Sequence, residues 1–530
     1  MEKQKPKSHK INPDDHLWLL IRFMDKAEAR HFRMVSRLQQ GGKQYEYLYD
    51  EISRIKHGKG YNEAEVREKL DKEGKIPAGN FAVTKNYLFD ALLKSLLAVN
   101  EKASVDRQIW KLYQEAQLLF ERGIWDKSLS RLHKAKGLAA KYQRFTFLID
   151  ILALESKHAL LPQTPAESFS SLIARLDREM KEAIESLAQE NEYTRIRNQA
   201  FAFFRTGNVS LGEKDIELLK ELKQTAALQT PGRFLSFHSE ALYHQIWFLI
   251  HRLEGVNKQA VRHSARMMVE VWESHPLFQE EYPRLYKVAL FTYLSACHRK
   301  GDYTEFEEML EKTDSIESRT IIERTSDFHD YYHYQLLFLL NTGRYEAAHQ
   351  LARSLEKKLA EYTRLRYPLR KNKLITLYHN IAILLFVTEQ YEEAKKWTFK
   401  IRKELGKAIG RADIQYFARV LNLIILFEKG EDDKLDSRGP YLMRLLKGDE
   451  LLLEFDEIVI RYIRKLSQSR IPYKDREIFE AFLKDIETLE AKLKMACGQR
   501  EVKLWVQSKL SGRPMATLLR EKSKAAMAKP

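Results

Sequence analysis

Along this chain apolar residues recur at helical spacing, and the stripes they form are interrupted at even intervals by short polar turns. Before Gly123, the positions Leu112, Ala116 and Leu119 make one stripe; after it, Trp125, Ser128, Leu132 and Ala135 make another. Around Glu389 the same places hold Tyr378, Ala382 and Leu385, then Tyr391, Ala394 and Ile401. The turn phrases resemble one another: "GIWDKS" at Gly123, "GDYTEF" at Gly301, "GRYEAA" at Gly343 and "EQYEEA" at Glu389. Weaker copies stand at Pro165, Gly207, Gly255 and Gly430, and successive copies are 41 to 48 residues apart. A helix on either side of each turn has one apolar face that it cannot bury alone, so the pattern predicts helical hairpins that shield one another by stacking. The expected fold is all-α, a right-handed solenoid of hairpins over residues 105–445 with a helical cap at each end.

The flanking segments read differently. Residues 13–104 form an N-terminal helical module with amphipathic "DHLWLLIRFM" and "EARHFRMVSRL", a capping-box pair at Asp25 and Glu28, and a long apolar helix beginning at Val83. This module is expected to cap the stack; a helix-turn-helix for nucleic acid is the alternative. Residues 446–498 supply two further amphipathic helices as the closing cap. Residues 1–12 and 499–530 are basic tails, the second expected to be partly disordered or an interaction arm, with Leu504, Trp505 and Val506 grouped in it.

The turn and stripe positions resemble those of the tetratricopeptide repeat (TPR) family, whose helix pairs share this small-residue pattern. The resemblance covers roughly residues 105–445, and the period departs from the ~34 residues usual there. "LIRFMDKAEARHFRMVSRL", "FAVTKNYLFDALLKSLL", "KLITLYHNIAILLF" and "RADIQYFARVLNLIILFEKG" together are similar to a group of uncharacterised bacterial tetratricopeptide-containing proteins. The first resemblance implies a scaffold or adaptor with a concave surface lined by the first helix of each pair. The second supports the architecture and supplies no activity.

Composition narrows the chemistry. The net charge of +16 is uneven, since residues 1–12 hold +3 and residues 499–530 hold +6, leaving +7 for all the rest. With a mean hydropathy of -0.49 and apolar runs far shorter than a bilayer needs, no membrane insertion is expected. Two distant cysteines and no signal-like apolar run at the start point to a reducing, cytoplasmic setting. No phosphate loop, dinucleotide fingerprint or nucleophile elbow is present, so no enzyme activity and no cofactor is expected. His329 and His333 share a helical face, but no third ligand accompanies them and no metal site is expected.

Counting back from each turn places Arg197, Asn198, Thr292, Ser295, His298, His333, Tyr334, His379 and Asn380 on the inward face, as candidate contacts for a protein or peptide. Asn198 and Asn380 stand nine residues before their turns. An asparagine amide can both donate to and accept from the backbone of an extended peptide, and similar asparagines do so in the family this chain resembles. Neighbouring arginine and histidine would favour an acidic or carboxylate-ended ligand. A basic cluster, Arg364, Arg366, Arg370, Lys371 and Lys373 around Tyr367, and a similar run at Lys395, keep a nucleic-acid-associated or peptide-gated regulator as the alternative.

Overall fold

The computed structural model of the chain describes residues 15–38, 44–55, 61–101, 104–161, 166–205, 213–255, 257–364, 367, 369–404, 411–448, 454–469, 472–492 and 497–527. Among these residues the secondary structure is helical and no strand occurs. Two compact units are distinguished: one of Met1–Glu192, Leu235–Ser239 and Tyr362–Tyr367, and one of Tyr193–Phe234, Glu240–Glu361 and Pro368–Pro530.

The first unit opens with α1 (His16–Phe23), α2 (Lys26–Leu38), α3 (Gln44–Arg54), α4 (Glu63–Lys72) and α5 (Phe81–Val99). Leu17, Trp18, Phe32, Leu48, Ile52, Leu70, Leu88 and Leu92 make their common core. The Asp25–Glu28 capping box is present, each backbone amide donating to the other's carboxylate at 2.8 Å. Lys85 of α5 is held between Asp15 and Glu63, while Lys94 of the same helix is exposed.

Next come α6 (Val105–Glu121), α7 (Trp125–Lys141) and α8 (Phe145–Ala159). The small positions predicted from the stripes lie at the crossing of α6 and α7: Ala116, Ser128, Leu132 and Ala135 are wholly buried. The approach is so close that the Ser128 hydroxyl donates to the Ala116 carbonyl at 2.7 Å. Helix α9 (Ala166–Arg205) follows, its last residues from Tyr193 onward belonging to the second unit. Here the hairpin expectation fails. A turn copy at Pro165 and another at Gly207 imply two helices between them, yet one 40-residue helix fills the interval. The reason is local: no glycine or proline stands between Ala166 and Arg205, so nothing ends the first helix. Both turn copies fall outside the described residues.

The second unit continues with α10 (Glu213–Lys223), α11 (Ala226–Gln229), α12 (Phe237–Glu254), α13 (Lys258–Glu273), α14 (Pro276–Glu281), α15 (Pro283–Lys300), α16 (Phe306–Ser315), α17 (Ile321–Asn341), α18 (Tyr345–Arg364), α19 (Lys371–Val387), α20 (Tyr391–Glu404), α21 (Ala412–Glu428) and α22 (Asp432–Gly448). It closes with α23 (Glu454–Gln468), α24 (Pro472–Lys492), α25 (Gln499–Ser511) and α26 (Met515–Met527). Helices α15, α17, α19 and α21 pack side by side, with α16, α20 and α22 on their flanks.

The repeated phrase has one geometry. In each of five turns an amide bonds back to the carbonyl five residues earlier: Ile124 to Leu119 (2.9 Å), Asp302 to Cys297 (3.0 Å), Arg344 to Leu339 (2.9 Å), Gln390 to Leu385 (2.8 Å) and Glu431 to Leu426 (3.0 Å). This is the Schellman closure, which satisfies a carbonyl left orphaned by the helix end and needs a left-handed residue just before. Glycine fills that place in four of the five; Glu389 fills it in the other, at φ 59°.

The closing segment differs from the expected basic tail. Residues 499–527 are not loose; they form α25 and α26, and Trp505 is completely buried among Phe427, Phe479 and Phe482. Leu504, Trp505 and Val506 carry too much apolar surface to leave in water, and their burial outweighs the local charge. The indole Nε1 donates to Glu428 at 2.7 Å, and Lys509 reaches the same carboxylate at 2.6 Å.

Candidate functional site

Three of the hairpin first-helices, α15, α17 and α19, each present a histidine toward the same region of the second unit. His298, three residues before the α15–α16 turn, shares a hydrogen bond between Nδ1 and the Tyr303 hydroxyl at 2.7 Å. His333 of α17 accepts at Nδ1 from Asn380 Nδ2 of α19, also at 2.7 Å. His379 lies edge-on to Phe417 of α21, with ring centroids 5.7 Å apart. Tyr334 stacks on Phe291 at 5.9 Å, and its hydroxyl is hydrogen-bonded to Ser295.

Burial holds all three imidazoles neutral. Desolvation pushes His333 down to about 3, helped by the positive charge of Arg411 and Lys373 and by the neighbouring histidines. It pushes His298 and His379 to about 4, with Arg500 opposing protonation of the first and Arg411 that of the second. Burial likewise raises Tyr334 to about 12. The side chains are half-buried, each keeping a minor part of its surface in reach of solvent.

Charged side chains flank the row. Arg411, at the start of α21, forms a two-pronged pair with Asp413, both contacts at 2.9 Å. Arg299 is exposed beside Tyr334. Helix α25 also packs on α19, and the chain entering it lies near Arg411 and Asp413, whose charges act on Cys497. At its N-cap, Gly498 has φ 78°, and a Cβ there would stand 1.9 Å from the Phe417 ring. Only a residue without a side chain lets α25 come this close.

The candidates read from the sequence therefore divide. His298, His333, Tyr334, His379, Asn380 and Ser295 are brought together. Thr292 spends its hydroxyl on Val288 of its own helix at 2.7 Å. Asn380 is buried with an amide hydrogen committed to His333, so its side chain orders the row and is not free for a backbone from outside. Arg197 and Asn198 stand on α9, beside the separate core of Tyr193, Ile196 and Ala200; Asn198 is exposed and Arg197 half-buried. His329 is buried, with Nδ1 at 2.6 Å from the Thr325 carbonyl, and no group of three metal-ligating residues occurs among the described residues.

The basic clusters are neutralised only in part. Lys373 pairs with Asp330 and donates to Ser326 at 3.2 Å. Arg364, Arg370 and Lys371 are exposed, and Arg366 lies outside the described residues. In the second run Lys395 pairs with Glu431, Lys396 with Glu393, and Lys400 with Glu356 while lying 3.9 Å from the Trp397 ring centre. Sequence reading missed Gly498 and Arg500; it grouped Trp505 with Leu504 and Val506 but did not give the helices they pack against. The one available signal was the apolar trio at 504–506 inside a basic stretch.

Compared with known families and curated sequences, the chain matches no protein-family model and no curated protein. No helix among the described residues is long and apolar enough to cross a membrane.

Proposed function

We propose that the protein is a cytoplasmic, non-catalytic scaffold of the tetratricopeptide-like kind, a right-handed stack of hairpins that binds a protein or peptide on the inner faces of α15, α17 and α19. The observation carrying this reading is the histidine row: three successive hairpins place polar and aromatic, half-buried side chains in one region where a purely structural stack would place closed apolar packing. Arg299, Arg411 and Arg500 around it favour a ligand with a carboxylate or an acidic stretch. The Asp413 partner of Arg411 moderates that preference and leaves Arg299 the more available charge.

The reading is tested by purifying proteins that co-elute with the intact chain from cells, using wild type and Arg299→Glu in parallel. Loss of one or more specific acidic partners in the variant, with an unchanged melting temperature, supports it. The same co-eluting set from both would remove the row as the contact. Nucleic-acid association is the second reading: Lys85, Lys373, Lys395 and Lys400 are already ion-paired, which leaves it the exposed Arg364, Arg370 and Lys371.

A further inference from the structure

We propose that the α17–α18 turn is a binding seat for a short basic amphipathic helix, filled in cis by α26 and open to a partner helix of the same chemistry when α26 leaves. It deepens the protein-binding reading by naming a second seat and its ligand, though its test requires no cellular partner.

The seat is made of acceptors. A helix ends with carbonyls that have no intrahelical partner and with the negative end of its dipole. At the end of α17, Asn341 and Gly343 turn their carbonyls outward, and Tyr345 adds a hydroxyl and a ring face. Helix α26 answers each of these. Ser523 donates its hydroxyl to the Asn341 carbonyl. Arg520 donates to the Gly343 carbonyl at 3.4 Å and lies over the Tyr345 ring at 5.4 Å. The Tyr345 hydroxyl donates to the Ala516 carbonyl at 2.8 Å. Met515 and Leu519 are buried in the same contact face, so positions 515, 516, 519, 520 and 523 form one helical stripe. Gly343 serves the fit as well as the turn, because a Cβ there would stand 2.9 Å from Arg520 Cγ.

Helix α26 is held more lightly than its neighbour. In α25, Val502, Leu504, Trp505 and Val506 are all buried, whereas among the described side chains of α26 Met515, Leu519 and Ser523 are. The two are joined through Gly512, at φ 65°, then Arg513 and Pro514. Lys522 with Gln507 and the linker's Arg513 with Glu521 are exposed contacts of small worth, while the Ser508 hydroxyl of α25 donates to the Arg513 carbonyl at 2.6 Å. Because the seat reads two backbone carbonyls and one aromatic ring, its ligand is defined by pattern: aliphatic, then aliphatic and arginine four and five places on, then a hydroxyl residue at the eighth.

The test uses the full-length chain with Leu519→Asp, and Met515→Asp as a second variant. Hydrogen exchange should show residues 515–527 deprotected while α25 keeps its protection. A labelled synthetic peptide of residues 513–527 should then bind the variants at least tenfold more tightly than wild type, whose seat is filled. Adding Gly343→Ala to the variant should weaken that binding. The proposal is overturned if released variants do not bind the peptide, or if wild type binds it equally well. It is overturned also if neither substitution releases α26 from a folded chain, or if both unfold α25 with it, since α26 is then part of the core and not an occupant.

Discussion

His333 shows how a single buried ring sets a pH response. Its folded pKa is near 3 against 6.5 for an unperturbed imidazole, so the stability it contributes is complete above pH 6.5 and is lost as pH falls toward 3. His298, His379, Arg411 and Lys373 around it are all cationic or become so, which steepens the loss. The His333 contribution to the melting temperature should fall between pH 6.5 and 4, so the difference between wild type and His333→Gln should change over that window while the pH 8 values stay nearly equal. Asp456 acts with the opposite sign. It is 3% exposed, and burial alone raises it to about 7, so the folded chain holds a proton there that the unfolded chain releases near 3.8. The Asp456 contribution to stability therefore declines as pH rises from about 4 to 7, opposite to that of His333. Asp456→Asn should raise stability at pH 8 by about 1–3 kcal/mol and leave it unchanged at pH 4, read from denaturant curves at the two pH values. At this scale the sequence was partly legible. The histidines and Asn380 could be placed on one face by counting from the turns, but that Asn380 would spend its amide on His333 depends on the approach of two helices, which spacing does not give.

Helices and turns were the most legible scale, and the reason is physical. The Schellman closure needs a left-handed residue at a fixed place, so glycine marks the turn in the sequence whatever packs around it. Glu389 breaks the rule at φ 59° and is exposed, so it carries backbone strain with no packing in return. Glu389→Gly should stabilise the protein by up to about 1 kcal/mol, the left-handed penalty less the entropy that glycine loses. A neutral or negative change in thermal unfolding would show that the Glu389 side chain contributes more than its strain costs. What could not be read was a missing stop. Between Ala166 and Arg205 the hairpin period continued on paper, but an absent breaker left α9 continuous.

For the molecule as a whole, composition misled where distance along the chain was greatest. Eight basic residues in the last 32 suggested solvated chain, yet Trp505 is as buried as any side chain in the protein. Its partners Phe427, Phe479 and Phe482 are 78, 26 and 23 positions away, beyond the reach of any local pattern. Trp505→Ala should cost about 3–5 kcal/mol. Hydrogen exchange should locate the damage in the second unit and spare the Leu48–Leu88 core of the first, and equal loss in both would contradict separate cores.

The bond from Ser523 to Asn341 spans 182 positions, and that interval has a meaning in time. A ribosome adding roughly 5–20 residues per second takes on the order of 10–35 s to pass from the turn to the helix that covers it. Through that delay a nascent chain displays the bare carbonyls of Asn341 and Gly343 before their own occupant has been made. Any helper that meets the growing polypeptide meets this spot first in its uncovered form.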